Sequence, residues 1–238
     1  MDIKRFCEHI STSISEFLSP SICLVCSDLI DSDNYKLRCL CNKCFNQIPL
    51  SVNSAQLTTR LIGKVDSDDL AIDKAVGLIN LKADHRYMKL IHNLKYYNYR
   101  KVGYELGKEL ARYLEICGMT DFDIVIPVPI HSAKKRERGY NQSDLIAKAI
   151  ADHSNAIYSR SIAKRKVYTS TQTRLGIESR SKNVSGVFQV IADKSELSGK
   201  TILIADDVFT TGSTINSLAL ELLENGVRSV YAATLAVA

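Results

Sequence analysis

The chain of 238 residues has no tryptophan, only four prolines and eleven glycines, and 7% aromatic residues. Collagen-like and proline-rich mucin-like classes fail on those counts. With 45% hydrophobic residues and only 24% charged ones, it also lacks the composition of a long disordered chain. No apolar run approaches the roughly 18 residues that would cross a bilayer. The first thirteen residues carry Lys4, Arg5, Glu8 and His9, where a secretion signal would need an unbroken apolar stretch. The expectation is therefore a cytoplasmic protein without membrane insertion, with one ordinary domain plus a small module.

What is present is unevenly distributed. Lys and Arg exceed Asp and Glu by five overall, yet between His131 and Lys182 twelve Lys and Arg face four acids, so the rest of the chain is net acidic. A block of one sign suits an anionic partner, phosphate or nucleic acid. Seven cysteines are an odd number for a disulfide framework, and five of them fall between Cys23 and Cys44. Cys23-x2-Cys26, fourteen residues, then Cys41-x2-Cys44 is the spacing with which two turns place four thiolates around one structural zinc. Cys39 could replace Cys41 as third ligand, and the pattern leaves that choice open. Cys7 and Cys117 stand alone in apolar surroundings and read as core thiols.

Apolar periodicity predicts an amphipathic helix over 3–18, the zinc knuckle to about residue 50, a linker over 51–72, and the main domain over 73–238. Within that domain the pattern predicts strands at 75–81, 123–128, 161–167, 187–191, 201–205 and 229–237. One or two helices are expected over 84–116, with 96–99 as the place of a break in the second case, and further helices at 141–152, 175–183 and 214–224. Strands alternating with helices imply an α/β fold, with a mostly parallel sheet covered on both faces.

The densest information is at 201–214. An apolar strand runs into Asp206-Asp207-Val-Phe-Thr210-Thr211-Gly212-Ser213-Thr214 before a helix. Hydroxyls and backbone N–H groups around one glycine at a helix N-terminus suit a phosphate. The two carboxylates suit vicinal hydroxyls or water around Mg2+. A sugar phosphate satisfies both.

This stretch resembles the thirteen-residue signature with which type I phosphoribosyltransferases bind phosphoribosyl pyrophosphate (PRPP). The resemblance implies that Asp206 and Asp207 bind the ribose hydroxyls with Mg2+ nearby, and that Thr210, Thr211, Gly212, Ser213 and Thr214 cradle the 5'-phosphate. With the zinc knuckle, Pro127-Val-Pro-Ile-His131, Arg136-x-Arg138-Gly-Tyr-Asn-Gln142, and Gln172, Leu175, Arg180 and Asn183 ahead of Phe188, the chain resembles the ComF (ComFC) competence family. That implies a type I phosphoribosyltransferase-like domain with a zinc module, with His131, Arg136 and Arg138 beside the pyrophosphate. It further implies a role on the cytoplasmic side of DNA uptake in natural transformation, with single-stranded DNA and a ComFA-like helicase as partners. Lys164, Arg165, Lys166, Lys95 and Arg100 are candidate DNA contacts, and Tyr96, Tyr97 and Tyr99 candidate stacking residues. The alternative is an active transferase moving ribose 5-phosphate from PRPP to a nitrogen acceptor, although no segment clearly builds a nucleobase pocket.

Overall fold

The computed structural model describes residues 22–30, 35–51, 70–96, 99–166 and 186–238. The helices expected at 3–18 and 175–183, most of the 51–72 linker, and Cys7, Tyr97, Gln172, Leu175, Arg180 and Asn183 lie outside the described residues.

Five strands form one parallel sheet: β1 (Lys74–Asn80), β2 (Ile124–Pro127), β3 (Ile157–Tyr158), β6 (Thr201–Phe209) and β7 (Ser229–Val237), in the order β1-β7-β6-β2-β3. Two further strands, β4 (Ala163–Arg165) and β5 (Phe188–Val190), pair antiparallel as a separate ribbon. The helices are α1 (Asn42–Asn46), α2 (Met88–Tyr96), α3 (Arg100–Ile116), α4 (Ser132–Arg138), α5 (Gln142–Ser154), α6 (Lys194–Leu197) and α7 (Ser213–Glu224).

The sheet is buried on both faces, so its strands are apolar at successive positions and divide their side chains by parity. Val125, Leu203 and Ala205 join one core with α3 and α5, while Ile124, Ile126, Ile202 and Ile204 join a second core with α7. The helices α3 and α5 approach closely at Gly107, where a Cβ would lie 2.7 Å from the Ala149 Cβ and 3.1 Å from the Ile146 Cα. No larger residue fits that crossing without moving a helix.

The strand order sets where a ligand could sit. From β6 the chain passes through α7 to β7 on one side, and from β2 through α4 and α5 to β3 on the other. The direction reverses between β6 and β2, and in open α/β sheets the crevice outside the carboxyl ends at such a reversal receives the ligand.

Four elements depart from the sequence expectation. The segment after Pro129, to which the sequence pattern assigned no element, contains α4, started by His131, whose Nδ1 accepts from the Ala133 N–H at 3.2 Å, and stopped by Gly139 at φ 75°. Four Lys and Arg in that helix obscure any apolar period. The strand expected to end at Ala205 continues to Phe209, carrying both aspartates in β6. The very short β3 and α6 have too few residues to leave a period.

The cysteine knuckle packs into the same core as the sheet. Cys23, Val25, Leu37, Cys39, Leu40 and Cys44 are buried with α2, α3 and β1 residues. Tyr87 donates its O–H to the Cys44 carbonyl at 2.6 Å, and Leu50 bridges Ile79 in antiparallel fashion. Among the described residues no helix is long and apolar enough to cross a membrane.

Candidate functional site

Two clusters concentrate chemistry. In the first, the sulfurs of Cys23, Cys26, Cys41 and Cys44 lie within 4.8 Å of one another. Each Cys-x-x-Cys folds as a turn: Ser27 N–H donates to the Cys23 carbonyl with Ser27 in the left-handed region, and Cys41 caps α1, taking the Cys44 N–H on its sulfur. A tetrahedral zinc with arms of about 2.3 Å needs sulfurs about 3.8 Å apart, and Cys26 Sγ and Cys41 Sγ are 3.7 Å apart. The donor set fits the ion. Cys39 is not in the group: its side chain is 3% exposed, and burial pushes its thiol up to about 12.

The second cluster lies at the β6–β2 crevice. Asp206 and Asp207 stand at the carboxyl half of β6, and Val128 closes the crevice floor by donating its N–H to the Ala205 carbonyl. Alternation turns the two side chains apart, and two neighbours at the start of α5 hold them. Ser143 Oγ donates to Asp206 Oδ1 at 2.8 Å, and Gln142 Nε2 to Asp207 Oδ2 at 2.9 Å. Asn141 caps α5 and ties it to β2 through the Val128 carbonyl at 3.0 Å. The positive end of that thirteen-residue helix therefore faces two carboxylates. Gln142 Oε1 is buried and has no hydrogen-bond partner among the described residues.

Asp207 is 5% exposed and receives the Lys95 ammonium on Oδ2 at 3.1 Å. For Asp206, burial first and the Asp207 charge second push the carboxyl well above the usual carboxylate range, against the Ser143 hydrogen bond. Beyond the pair, the turn Thr210 to Thr214 leads into α7. Gly212 at φ 78° supplies the left-handed residue before the helix, and Thr211 Oγ1 and Ser213 Oγ are 2.9 Å apart. Thr210, Thr211, Ser213 and Thr214 are exposed.

Cations converge on the same crevice. Burial and the positive charges of Arg165, Arg138 and Lys95 lower the Lys134 ammonium, while Arg165, lowered by burial, is countered by Asp206. On α4, His131, Lys134 and Arg138 are partly buried and share one face by spacing, whereas Arg136 is exposed. Lys164 on β4 and Lys166 just after it are exposed, and Arg165 between them turns over the Phe188 ring at 5.4 Å. Arg100 lies over Tyr140 at 5.1 Å and donates to the Gly139 carbonyl. Tyr96 and Tyr99 are 59% and 46% exposed, with Arg138 5.6 Å from the Tyr96 ring.

Sequence reasoning missed Gln142, Ser143 and Lys134 as site residues. Gln142 closed the Arg138-Gly-Tyr-Asn-Gln142 motif and Ser143 follows it directly, but only the crossing of α5 over β6 points them at the acids. The 131, 134, 138 spacing would have found Lys134 had the segment been read as a helix.

The description "phosphoribosyl transferase domain" matches residues 101–237. Competence protein F of Haemophilus influenzae is 33% identical over 108 residues, 45% of this chain and 47% of that protein. DNA utilization protein YhgH of Salmonella typhi is 30% identical over 145 residues, 59% of this chain and 63% of that protein. Competence protein ComFC of Bacillus subtilis is 29% identical over 103 residues, 43% of this chain and 39% of that protein. The chain thus spans between 39% and 63% of these relatives' lengths.

Proposed function

The chain belongs to the phosphoribosyl transferase domain family, as a ComF-type member, and we propose that it binds PRPP or ribose 5-phosphate at the β6–β2 crevice and handles single-stranded DNA during its uptake in natural transformation. One observation carries the pocket reading: a carboxylate pair and an open hydroxyl turn stand in succession on β6 and α7, at the reversal of the sheet. The turn suits the 5'-phosphate and the acids suit the ribose hydroxyls. Asp206 and Asp207 also offer the hard oxygen donors that Mg2+ takes, and the ion would offset the diphosphate charge. The cations around Lys134 suit the diphosphate itself.

Relatives named for competence and DNA utilization support the DNA reading. So do exposed Lys164, Lys166, Tyr96 and Tyr99. Lys95 and Arg100, engaged with Asp207 and Tyr140, suit the pocket and the fold better than a DNA surface. The four thiols are proposed to hold one structural zinc, which would leave no open position for substrate. On this reading the described part of the cysteine knuckle and the transferase-like core function as one packed unit, and a helicase partner would meet its outer surface.

Calorimetry with PRPP and Mg2+ tests the pocket. Wild type should bind, and Asp206→Asn with Asp207→Asn should weaken PRPP by roughly 10- to 100-fold, the loss of charged contacts, with inorganic phosphate little changed. Unchanged PRPP affinity would remove the assignment. Adding a nucleobase panel and following pyrophosphate release asks whether the pocket also turns over.

A further inference from the structure

Lys95 is held in place from both sides. It sits at the last turn of α2, where Leu94 is fully buried and its carbonyl accepts the Tyr140 O–H, while the next residue, Tyr96, lies beneath the Arg138 guanidinium. Both anchors come from the α4–α5 connection, so the end of α2 is fixed to the wall of the crevice. Only then does the Lys95 side chain, 27% exposed, reach Asp207 Oδ2 at 3.1 Å. The residue lies outside 101–237, the stretch that matches the transferase domain.

The ammonium has a limited choice of partners. Asp207 already accepts from Gln142 on the same oxygen, and the surroundings beyond it carry Lys134, Arg138 and Arg165. A ligand or cation that takes Asp207 displaces the ammonium toward other cations, where it can settle only if an anion arrives with the displacing group. We propose that Lys95 is a transferable counter-ion, which neutralises Asp207 in the empty pocket and passes to the diphosphate of the incoming ligand. It thereby makes the site select a sugar bearing a diphosphate over the corresponding monophosphate.

This inference rests on the pocket reading above. It carries no covalent step; one ion pair is exchanged for another. Monophosphates reach the hydroxyl turn but bring nothing to receive Lys95, so they must compete with it for Asp207.

The test compares wild type with Lys95→Met by calorimetry against PRPP with Mg2+, ribose 5-phosphate, and Mn2+ alone, using the full chain. Lys95→Met should lose PRPP affinity by roughly 10- to 100-fold, the scale of one charged hydrogen bond. Ribose 5-phosphate should bind equally or more tightly, and Mn2+ alone should bind more tightly because the competing ammonium is gone. Lys95→Arg, which keeps the charge, should recover most of the PRPP affinity. Equal loss for PRPP and ribose 5-phosphate, or unchanged PRPP affinity, overturns the exchange while leaving the pocket reading intact. Failure of wild type to bind either sugar phosphate overturns the pocket reading, and the exchange with it.

Discussion

The knuckle and the crevice are both polar sites set into an apolar core, and they resolve burial in opposite ways. In the knuckle four like donors converge: Cys23, Cys26, Cys41 and Cys44 present sulfur to sulfur. In the crevice unlike groups pair with one another, with Ser143 on Asp206 and both Gln142 and Lys95 on Asp207, and only Gln142 Oε1 stays unpaired among the described residues of the cluster. On the zinc reading the first arrangement is completed by an ion and so belongs to stability. The second closes on itself but holds two adjacent carboxylates at a cost, which is what a ligand site requires.

The largest expected effect lies at the knuckle. Metal removal by chelation, or Cys26→Ser, should lower stability by about 5 kcal/mol or more, roughly 10–20 °C in melting temperature for a domain of this size. The effect should spread beyond the knuckle, because Val25, Leu37 and Leu40 share the core of α3 and the sheet. Cys39→Ser should cost only about 1–3 kcal/mol, a hydroxyl buried for a thiol, and retain about one zinc per chain by elemental analysis. Zinc kept by Cys41→Ser and lost by Cys39→Ser would reverse the ligand assignment.

In the crevice the prediction has the opposite sign. Asp206 titrates above its unfolded value, so folding favours its protonated form. The stability this confers is fully present below the unfolded pKa and is lost as pH rises through the folded one. Asp206→Asn should therefore stabilise the ligand-free protein at neutral pH by about 1–2 kcal/mol, roughly 2–8 °C, with the gain vanishing on acidification toward the ordinary carboxylate range. Asp207→Asn should instead destabilise, since Lys95 and Gln142 lose a charged acceptor. Thermal melts across pH read both, and a pH-independent Asp206→Asn would break the contrast between the two carboxylates.

The smallest effect concerns the ribbon beside the crevice. Neutralising Lys164 and Lys166 should flatten the log–log salt slope of single-stranded DNA binding by about 1.4, at roughly 0.7 ion per contact. Adding Arg165→Gln should change PRPP affinity more than the slope, because Arg165 faces Phe188 and feels Asp206. A slope that falls equally for all three residues would put Arg165 on the DNA side instead.

Much of this was legible in the chain. The buried strands at 75–81, 123–128 and 229–237 declared themselves by mostly apolar runs, and the helical stretch of 84–116 by its period, with 96–99 as the place where it could break. Local chemistry made the knuckle readable, since each Cys-x-x-Cys turn brings its own two sulfurs together. The same holds for the 206–214 stretch, whose acids, hydroxyls and glycine are consecutive.

What the sequence determined by itself was therefore a set of features built by neighbours in the chain: the longer strands, the paired thiols, the acid pair and the hydroxyl turn; short or highly charged local elements such as α4, β3 and α6 escaped it. Tertiary structure alone decided what those features touch. Cys41 rather than Cys39 faces the other sulfurs because the 24–39 backbone pairing turns the Cys39 side chain into the core. Gln142 and Ser143 meet the acids because α5 crosses β6, and Lys95 meets Asp207 across more than a hundred residues because Tyr140 and Arg138 pin the end of α2. Periodicity along a chain reports which face of an element is buried; it carries no record of which distant side chain shares that face.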